Sequence, residues 1–512
     1  MRNRTEVLRD DERDEGDCNY QDLDHKVKMN QRDFQQKAIE ALEKIKPVLI
    51  VAPTGLGKTR AALSPFAQGP IDILEKRLIY SLPLRALARG VMDECKSLGL
   101  KPVIHHGDEP ESRFFSERVV ITTVDQYFTA FAGAPLSWAS HLSHAAAGAV
   151  LTSYSVFDEV HLLSPQRGLQ LLFGILRLRR RWGLLSCVMT ATLPPSVIES
   201  FGEFCGLERI EASPSDIEQR DGWRKVRLEL MGHWTRSSGR KGKKREIFEW
   251  GDITPERLCE IVREKWDNWY ELELDGPKKV IIFVNTVDRA IQVYQKIKEA
   301  GFCSRVLLAH SRFTKRDRHR VEEDIQTYFG RNACPNEAIL VTTQVAEAGL
   351  NISAPLVVTE LCPMDSLIQR VGRCQRFKPK PEREMKGKAL VVKPEGEGWF
   401  TPYSDRIRLV KTSKDKKGKE KRNFSKQFPA VELSRAILER DVGNGLLLDW
   451  EKEQDLIKKA LDRLYRSYLA GTTDVEFHKD EEPFQMLYRK HRSKKRAEEE
   501  EESPEGEEGV EL

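Results

Sequence analysis

The sequence predicts an α/β protein: two tandem, doubly wound parallel-sheet domains followed by a small, mainly helical C-terminal region. Three observations carry this. Short apolar runs alternate with helical patterns from about Asn30 to Glu211. The same alternation resumes after about residue 222 and stops near Gly396. The runs themselves ("VLIVAP", "RVVITT", "KVIIFVN") are continuous rather than alternating, as strands covered by helices on both faces must be. A chain of 512 residues is long enough for two or three ordinary cores.

In the first half, strands are expected at 48–53, 77–83, 118–123, 155–158 and 185–192, with helices over "TRAALSPFAQ" and "LRALARGVMDECKSLG". In the second half they are expected at 279–285, 305–310, 338–343, 356–361 and 388–394, and "DRAIQVYQKIKEAG" supplies a helix between the first two. Domains are therefore placed at 30–214 and 215–395. Residues 1–29 are polar and aperiodic and read as a flexible arm. Residues 396–495 form an accessory region with helical patterns near 430–440 and 451–469, and 496–512 an acidic, disordered tail.

The charge balance excludes a global polycation: 84 Lys and Arg stand against 80 Asp and Glu. Any nucleic-acid binding must come from local patches. Basic runs at 236–245, 411–422 and 489–496 are candidates, though each is more readily read as a solvated loop or tail. The opening "MRNRTEVLRDDERDEGD" is too charged for a signal peptide, and no apolar run approaches the roughly 18 residues of a membrane span. Nine Cys without a C-x-x-C pair favour neither a zinc ribbon nor a disulfide framework. The expectation is a cytoplasmic protein with no membrane partner.

The first predicted strand runs into "APTGLGKT". A strand, a glycine-rich turn and a helix make a phosphate cradle: Thr54, Gly55 and Gly57 let backbone N–H groups approach a polyphosphate, and Lys58 reaches its outer phosphates. The Thr59 hydroxyl would bind Mg²⁺, and Ala52 stands where the strict motif has Gly. Such a loop needs a second carboxylate to hold the metal, and Asp158 of "SVFDEVHLLSP" ends another predicted strand. Thr59 and Asp158 are the expected metal pair, with Glu159 beside them to orient and deprotonate the attacking water. A zinc-protease reading of the same stretch fails, because it needs H-E-x-x-H on a helix. His161 would sit behind the site, coupling it to the neighbouring strand. In the second half, "QRVGRCQR" spaces Arg370, Arg373 and Arg376 at i, i+3 and i+6, which predicts one helical face. An arginine pair, Arg373 and Arg376, facing a nucleotide from the opposite domain stabilises transition-state charge.

Together these segments resemble superfamily-two helicases, which implies two RecA-like domains. More narrowly they resemble the CRISPR-associated type I interference helicases, the Cas-three family, over roughly residues 30–395. "RDFQQKAIEAL" is similar to the Q-motif entry, which implies that Gln35 reads adenine. "APTGLGKT", "LPLRALA", "ITTVDQ", "DEVH", "TAT", "FVNTVDRA", "TTQVAEAGLN" and "QRVGRCQR" follow in the family's motif order. The narrower likeness rests on "TTVDQ", "NTVDRA", "HSRF" with Arg318 downstream, and "TQVAEAGLN". It implies ATP and Mg²⁺ as cofactors and Asn351 among the nucleotide contacts. Single-stranded DNA would be gripped by Arg85, Thr122, Thr123, Ser311, Arg312 and Gln344 and moved 3′ to 5′. Coupling between the two sites would run through His161, Thr190, Thr192, Gln369 and Arg370. The sequence departs from the family at Leu84, where Thr is usual, and at Asn351, where Asp is usual.

Full-length members also carry an HD nuclease domain, and no His-Asp dipeptide occurs anywhere here. The expectation is a stand-alone helicase subunit serving a separate HD nuclease and an RNA-guided surveillance complex. An RNA-remodelling ATPase and a non-catalytic scaffold between effector complex and nuclease are the alternatives.

Overall fold

The computed structural model of the chain describes residues 31–68, 77–136, 143–238, 244–396, 398–403, 405–414, 420–425, 427–477 and 487. The predicted arm at 1–29, the acidic tail at 496–512 and the basic run at 489–496 lie outside the described residues.

The first domain is one sheet: β1 (Val48–Val51), β2 (Leu78–Leu82), β3 (Pro102–His106), β4 (Glu109–Pro110), β5 (Val119–Thr123), β6 (Tyr154–Phe157), β7 (Ser186–Thr190) and β8 (Glu208–Glu211). The spatial order is β4-β3-β5-β2-β6-β7-β1-β8, parallel except for the short β3–β4 pair. Every residue of β1, β2, β5, β6 and β7 is buried, which is why these five read as unbroken apolar runs. The edge strand β8 exposes three of its four residues and carries no such run.

The second domain comprises β9 (Arg224–Leu230), the hairpin β10 (Gly232–Ser238) and β11 (Lys244–Trp250), β12 (Asp252–Ile253), β13 (Lys279–Phe283), β14 (Val306–Ala309), β15 (Ala338–Thr342), β16 (Leu356–Glu360) and β17 (Met385–Pro394). The C-terminal region adds β18 (Arg406–Lys414), β19 (Glu420–Phe424), β20 (Phe428–Pro429), β21 (Leu446–Leu448) and β22 (Asp474–Phe477). The second sheet runs β14-β15-β13-β16-β17-β9-β21, with β12 beside β17. The last strand β21 joins antiparallel, so the C-terminal region is stitched onto the edge of the second sheet.

Helices Val431–Asp441 and Trp450–Leu469 fall where the sequence predicts them. Beside them is a four-stranded sheet around β18, which the pattern did not predict. The described parts of the basic runs at 236–245 and 411–422 belong to the antiparallel pairs β10–β11 and β18–β19. Helix Trp450–Leu469 starts at Asp449, whose carboxylate accepts the Lys452 N–H at 2.9 Å. It packs on helix Pro195–Cys205 of the first domain and on helix Met364–Val371 of the second.

Candidate nucleotide and nucleic-acid site

The chemistry-bearing loops follow the carboxyl ends of parallel strands, where open α/β sheets place their ligands. After β1 comes the loop Ala52–Gly57 and then helix Lys58–Gln68. Gly57 has φ +87°, and a Cβ there would lie 2.6 Å from Gln35 Nε2, so only glycine satisfies both constraints. The Gln35 amide donates to Gly57 O at 2.9 Å, and its Oε1 accepts the Arg32 N–H at 2.9 Å. Gln35 thus clamps the phosphate loop, with both ends of its carboxamide engaged. The Lys58 ammonium is buried and donates to Ala52 O at 3.0 Å, which places it inside the loop it would share with a phosphate.

Asp158 and Glu159 follow β6. Asp158 Oδ1 accepts the Glu159 N–H at 2.8 Å and Oδ2 accepts the Tyr80 phenol at 2.7 Å. Tyr80, from β2, is also a hydrogen-bond neighbour of Thr59, so it ties together the two groups expected to hold a metal. Burial, then the Glu159 charge, push the Asp158 carboxyl up, against Lys58 and the Tyr80 hydrogen bond. Burial also opposes charge on Glu159, but Lys58, His161, Arg376 and Arg373 outweigh it and hold that carboxyl below its ordinary range. Glu159 has φ +49°, an uncommon conformation for a non-glycine residue that turns it out of the strand. Its Oε2 is buried without a hydrogen-bond partner, 3.4 Å from His161 Nδ1. The donor set fits a hydrated Mg²⁺: a hydroxyl, a carboxylate and a second carboxylate oxygen free for water.

His161 Nδ1 lies 3.2 Å from Thr190 Oγ1 at the end of β7, and burial lowers the imidazole pKa. His161 and Gln369 line one cavity of about 320 Å³ at the junction of both domains and the C-terminal region. Thr192 Oγ1 is buried without a partner.

The arginines of "QRVGRCQR" require a correction. Helix Met364–Val371 ends before the second of them, and Gln375 has φ +47°, so the three do not share a helical face. The Gly372 turn splits their roles. Arg370 points into its own domain, donating to Glu347 Oε1 at 2.6 Å, Thr359 Oγ1 at 3.0 Å and Asn285 Oδ1 at 3.1 Å. Arg373 donates to Glu347 O, and Arg376 Nε to Asn351 Oδ1 at 3.0 Å; both guanidiniums lie within electrostatic reach of Glu159. Burial, then mutual repulsion, hold the Arg373 pKa well below its ordinary value, and burial brings Arg376 down to about 10. Thr54, Gly55, Gly372 and Arg376 line a cavity of about 870 Å³ between the domains.

A second cavity, of about 710 Å³, also crosses the domain boundary and gathers Arg85, Thr123, Ser311 and Gln344 with Arg318 and His310. Thr122 is a further correction. Successive strand residues face opposite ways, and its hydroxyl is turned into the sheet, donating to His105 O at 2.7 Å. Arg312 is exposed, pairs with Asp288 at 2.5 Å and does not line this cavity. At the rim, Gly349 (φ +96°) meets Ala86 so closely that a Cβ would lie 2.6 Å from the alanine methyl.

A phosphate loop and carboxylate pair on one sheet, faced by an arginine turn from a second, is what makes nucleotide hydrolysis depend on how two domains meet. This is the arrangement that an ATP-dependent helicase core requires. Residues 32–201 match the family described as DEAD/DEAH box helicase, and residues 276–379 that described as CRISPR-associated nuclease/helicase Cas3, C-terminal. Both halves of the chain are thus similar to Cas3 proteins and their helicase relatives.

It is 25% identical over 418 residues to the CRISPR-associated endonuclease/helicase Cas3 of Escherichia coli (strain K12), covering 72% of this chain and 45% of that protein. With the CRISPR-associated helicase Cas3 of Thermoproteus tenax it shares 25% over 456 residues, 84% of this chain and 66% of that one. In fold it resembles T. fusca Cas3 bound to AMPPNP: TM-score 0.60, 18% identity, 92% of this chain and 55% of that chain. The chain spans about half the length of the curated relatives it matches. No described helix is long and apolar enough to cross a membrane.

Among the described residues no group of three or more His, Cys, Asp or Glu is arranged to hold a metal. The site residues that sequence reasoning missed are Tyr80 and Glu347. Tyr80 sits inside an apolar run where only its phenol hinted at a polar task, and Glu347 lies within the quoted motif "TTQVAEAGLN".

Proposed function

We propose that this chain is an ATP-driven translocase on single-stranded DNA, moving 3′ to 5′ and unwinding target DNA in CRISPR type I interference. Its partners in this reading are an RNA-guided surveillance complex and an HD nuclease on a separate polypeptide. The observation that carries the reading is the pairing of two inter-domain cavities, one lined by Thr54, Gly55 and Arg376 and the other by Arg85, Thr123, Ser311 and Gln344. Because each cavity is lined from both domains, a change in domain contact at the first would carry to the second.

In this mechanism the loop N–H groups and Lys58 bind the polyphosphate, and Glu159 orients a water against the outer phosphorus. A carboxylate held this low is a weak base, so it takes the proton late, as the phosphoryl bond breaks. Mg²⁺, held by Thr59 and Asp158, would neutralise charge on the outer phosphates. Arg373 and Arg376 stabilise the charge that develops, a contribution of about 10³–10⁵ in rate where such arginines act. Backbone contacts from the second cavity grip phosphates without reading sequence.

The test is ATP turnover by the purified chain, alone and with saturating single-stranded DNA or RNA, with Lys58→Ala as the blank. DNA-selective stimulation, and displacement of a strand from a duplex with a 3′ but not a 5′ tail, are the expected results. RNA-selective stimulation would make it an RNA-remodelling ATPase instead. Turnover no higher than the blank would sink the motor reading.

A further inference from the structure

The C-terminal helix Trp450–Leu469 spends two consecutive residues on the ATPase site. Glu453 is buried and faces the second domain: its Oε1 accepts from Arg220 Nη2 at 2.6 Å and from Arg224 Nη1 at 3.3 Å. Arg224, the first residue of β9, spends its remaining donors on the arginine turn. Its Nη2 donates to Val371 O at 2.9 Å and its Nε to Cys374 O at 3.0 Å. One guanidinium therefore brackets the segment containing Gly372 and Arg373, and fixes the direction from which Arg373 and Arg376 leave it.

The next residue, Gln454, faces the first domain. Its amide donates to Ala191 O at 3.1 Å, between the coupling candidates Thr190 and Thr192. Two turns on, Asp462 Oδ1 accepts the Ser196 N–H at 2.8 Å at the start of the helix that follows. The helix thus touches the loop after β7 on one side and the arginine turn on the other.

We propose that Glu453, acting through Arg224, and Gln454 are positioning residues for ATP hydrolysis: the C-terminal helix sets the arginine turn against the first domain. Glu453 and Gln454 do not line the cavity between Thr54 and Arg376, and Arg224 lines it with its side chain engaged by the arginine turn. The forked, planar guanidinium is what allows Arg224 to hold two carbonyls and a carboxylate at once, and an ammonium cannot reproduce that geometry. The inference rests on the ATPase reading above and adds to it a dependence on residues outside the two motor domains.

The experiment is a double-variant cycle on steady-state ATP turnover. Glu453→Gln is expected to lower kcat about tenfold or more while KM for ATP stays within about twofold. Arg224→Lys, which keeps the charge and loses the fork, should match it. In the Arg376→Ala background, adding Glu453→Gln should cost less than about twofold, because the group it positions is gone. Losses that multiply in the double variant would overturn the proposal. So would a drop in kcat that follows a drop in the folded fraction, measured on the same samples by thermal melting. If the wild type turns over no faster than Lys58→Ala, the ATPase reading itself fails; an active wild type with independent losses refutes this inference alone.

Discussion

Tyr80→Phe tests the part the protein would play in holding Mg²⁺ under the proposed function. The substitution keeps the ring, which is fully buried in β2, and removes one oxygen. That oxygen donates to Asp158 Oδ2 at 2.7 Å and neighbours Thr59, so both groups proposed to hold the metal lose a fixed partner. A hydrogen bond to a charged group contributes about 1.5–3 kcal/mol, or roughly 10–150-fold in an equilibrium constant. The sign follows from the charge state. The phenol stabilises the ionised carboxylate, whereas burial and Glu159 disfavour it, so losing the phenol raises the Asp158 pKa further. At a given pH a larger share of Asp158 is then protonated and cannot bind metal. ATP turnover titrated with Mg²⁺ at neutral pH should show a midpoint shifted upward by about tenfold or more, with most of kcat recovered at saturation. The acid limb of the pH profile at limiting Mg²⁺ should also move to higher pH. An unchanged Mg²⁺ midpoint with an unchanged acid limb would refute the reasoning.

Arg179 is fully buried and donates to Tyr127 OH, Ser186 Oγ and the carbonyls of Val150, Ser153 and Leu185. Arg179→Met should strand these acceptors and cost the first domain about 3 kcal/mol or more in urea denaturation, whereas Arg181→Met at the exposed end of the same helix should cost almost nothing. Gly349→Ala forces a side chain into φ +96° and into Ala86 across the domain boundary. It should cut nucleic-acid stimulation of ATP turnover severalfold while each domain melts normally, and an unaltered stimulation ratio would show that this contact is not used. Burial raises the Asp365 pKa, so the folded state binds that proton more tightly than the unfolded one. Stability from this group is present at low pH and lost as pH rises through the folded pKa. Asp365→Asn keeps one acceptor for the Ser366 N–H and the Tyr465 hydroxyl, which Asp365 serves with two, and its stability relative to wild type should therefore rise from below the ordinary aspartate range to neutral pH, read by thermal melting across that range.

Most of the two-domain core was readable because its physics is local. A strand buried on both faces can only be apolar, so β1, β2, β5, β6 and β7 declared themselves, and the glycines and Lys58 after β1 follow from the geometry of a phosphate loop. What escaped the reading depends on partners far away in sequence. Nothing in "LRLRRR" says that Arg179 turns inward while its neighbour Arg181 stays in water. Regular spacing at 370, 373 and 376 suggested a continuous helix, but the helix ends at Val371 and the turn at Gly372 is bracketed by Arg224, which lies 147 residues from Val371 in sequence. Thr122 and Thr123 are indistinguishable as letters, and the alternation of the strand gives them opposite faces. The sheet around β18 was hidden because its strands carry long charged runs and pair mostly with each other.

The placement of cations explains why hydrolysis belongs to the interface rather than to either domain. Arg373 and Arg376 are packed close enough to repel, and burial adds to the cost of keeping both charged. Glu159 is the nearest carboxylate to offset them, and it is shared with Lys58 and His161 from its own domain. Asp158 also faces Lys58 and Glu347 also faces Arg373, but burial and the Glu159 charge disfavour an ionised Asp158 and Glu347 is already engaged by Arg370, which leaves the closed cleft short of negative charge. A nucleotide triphosphate supplies that charge at the point where all three cations converge, so its arrival favours closure. Cleavage and departure of the outer phosphate remove part of it and leave the guanidiniums repelling again, which favours opening. The stroke therefore needs no stored backbone strain. In the mechanism proposed above it would follow from an excess of buried positive charge that the unhydrolysed nucleotide balances, and the second cavity, lined by residues of both domains, would change with it.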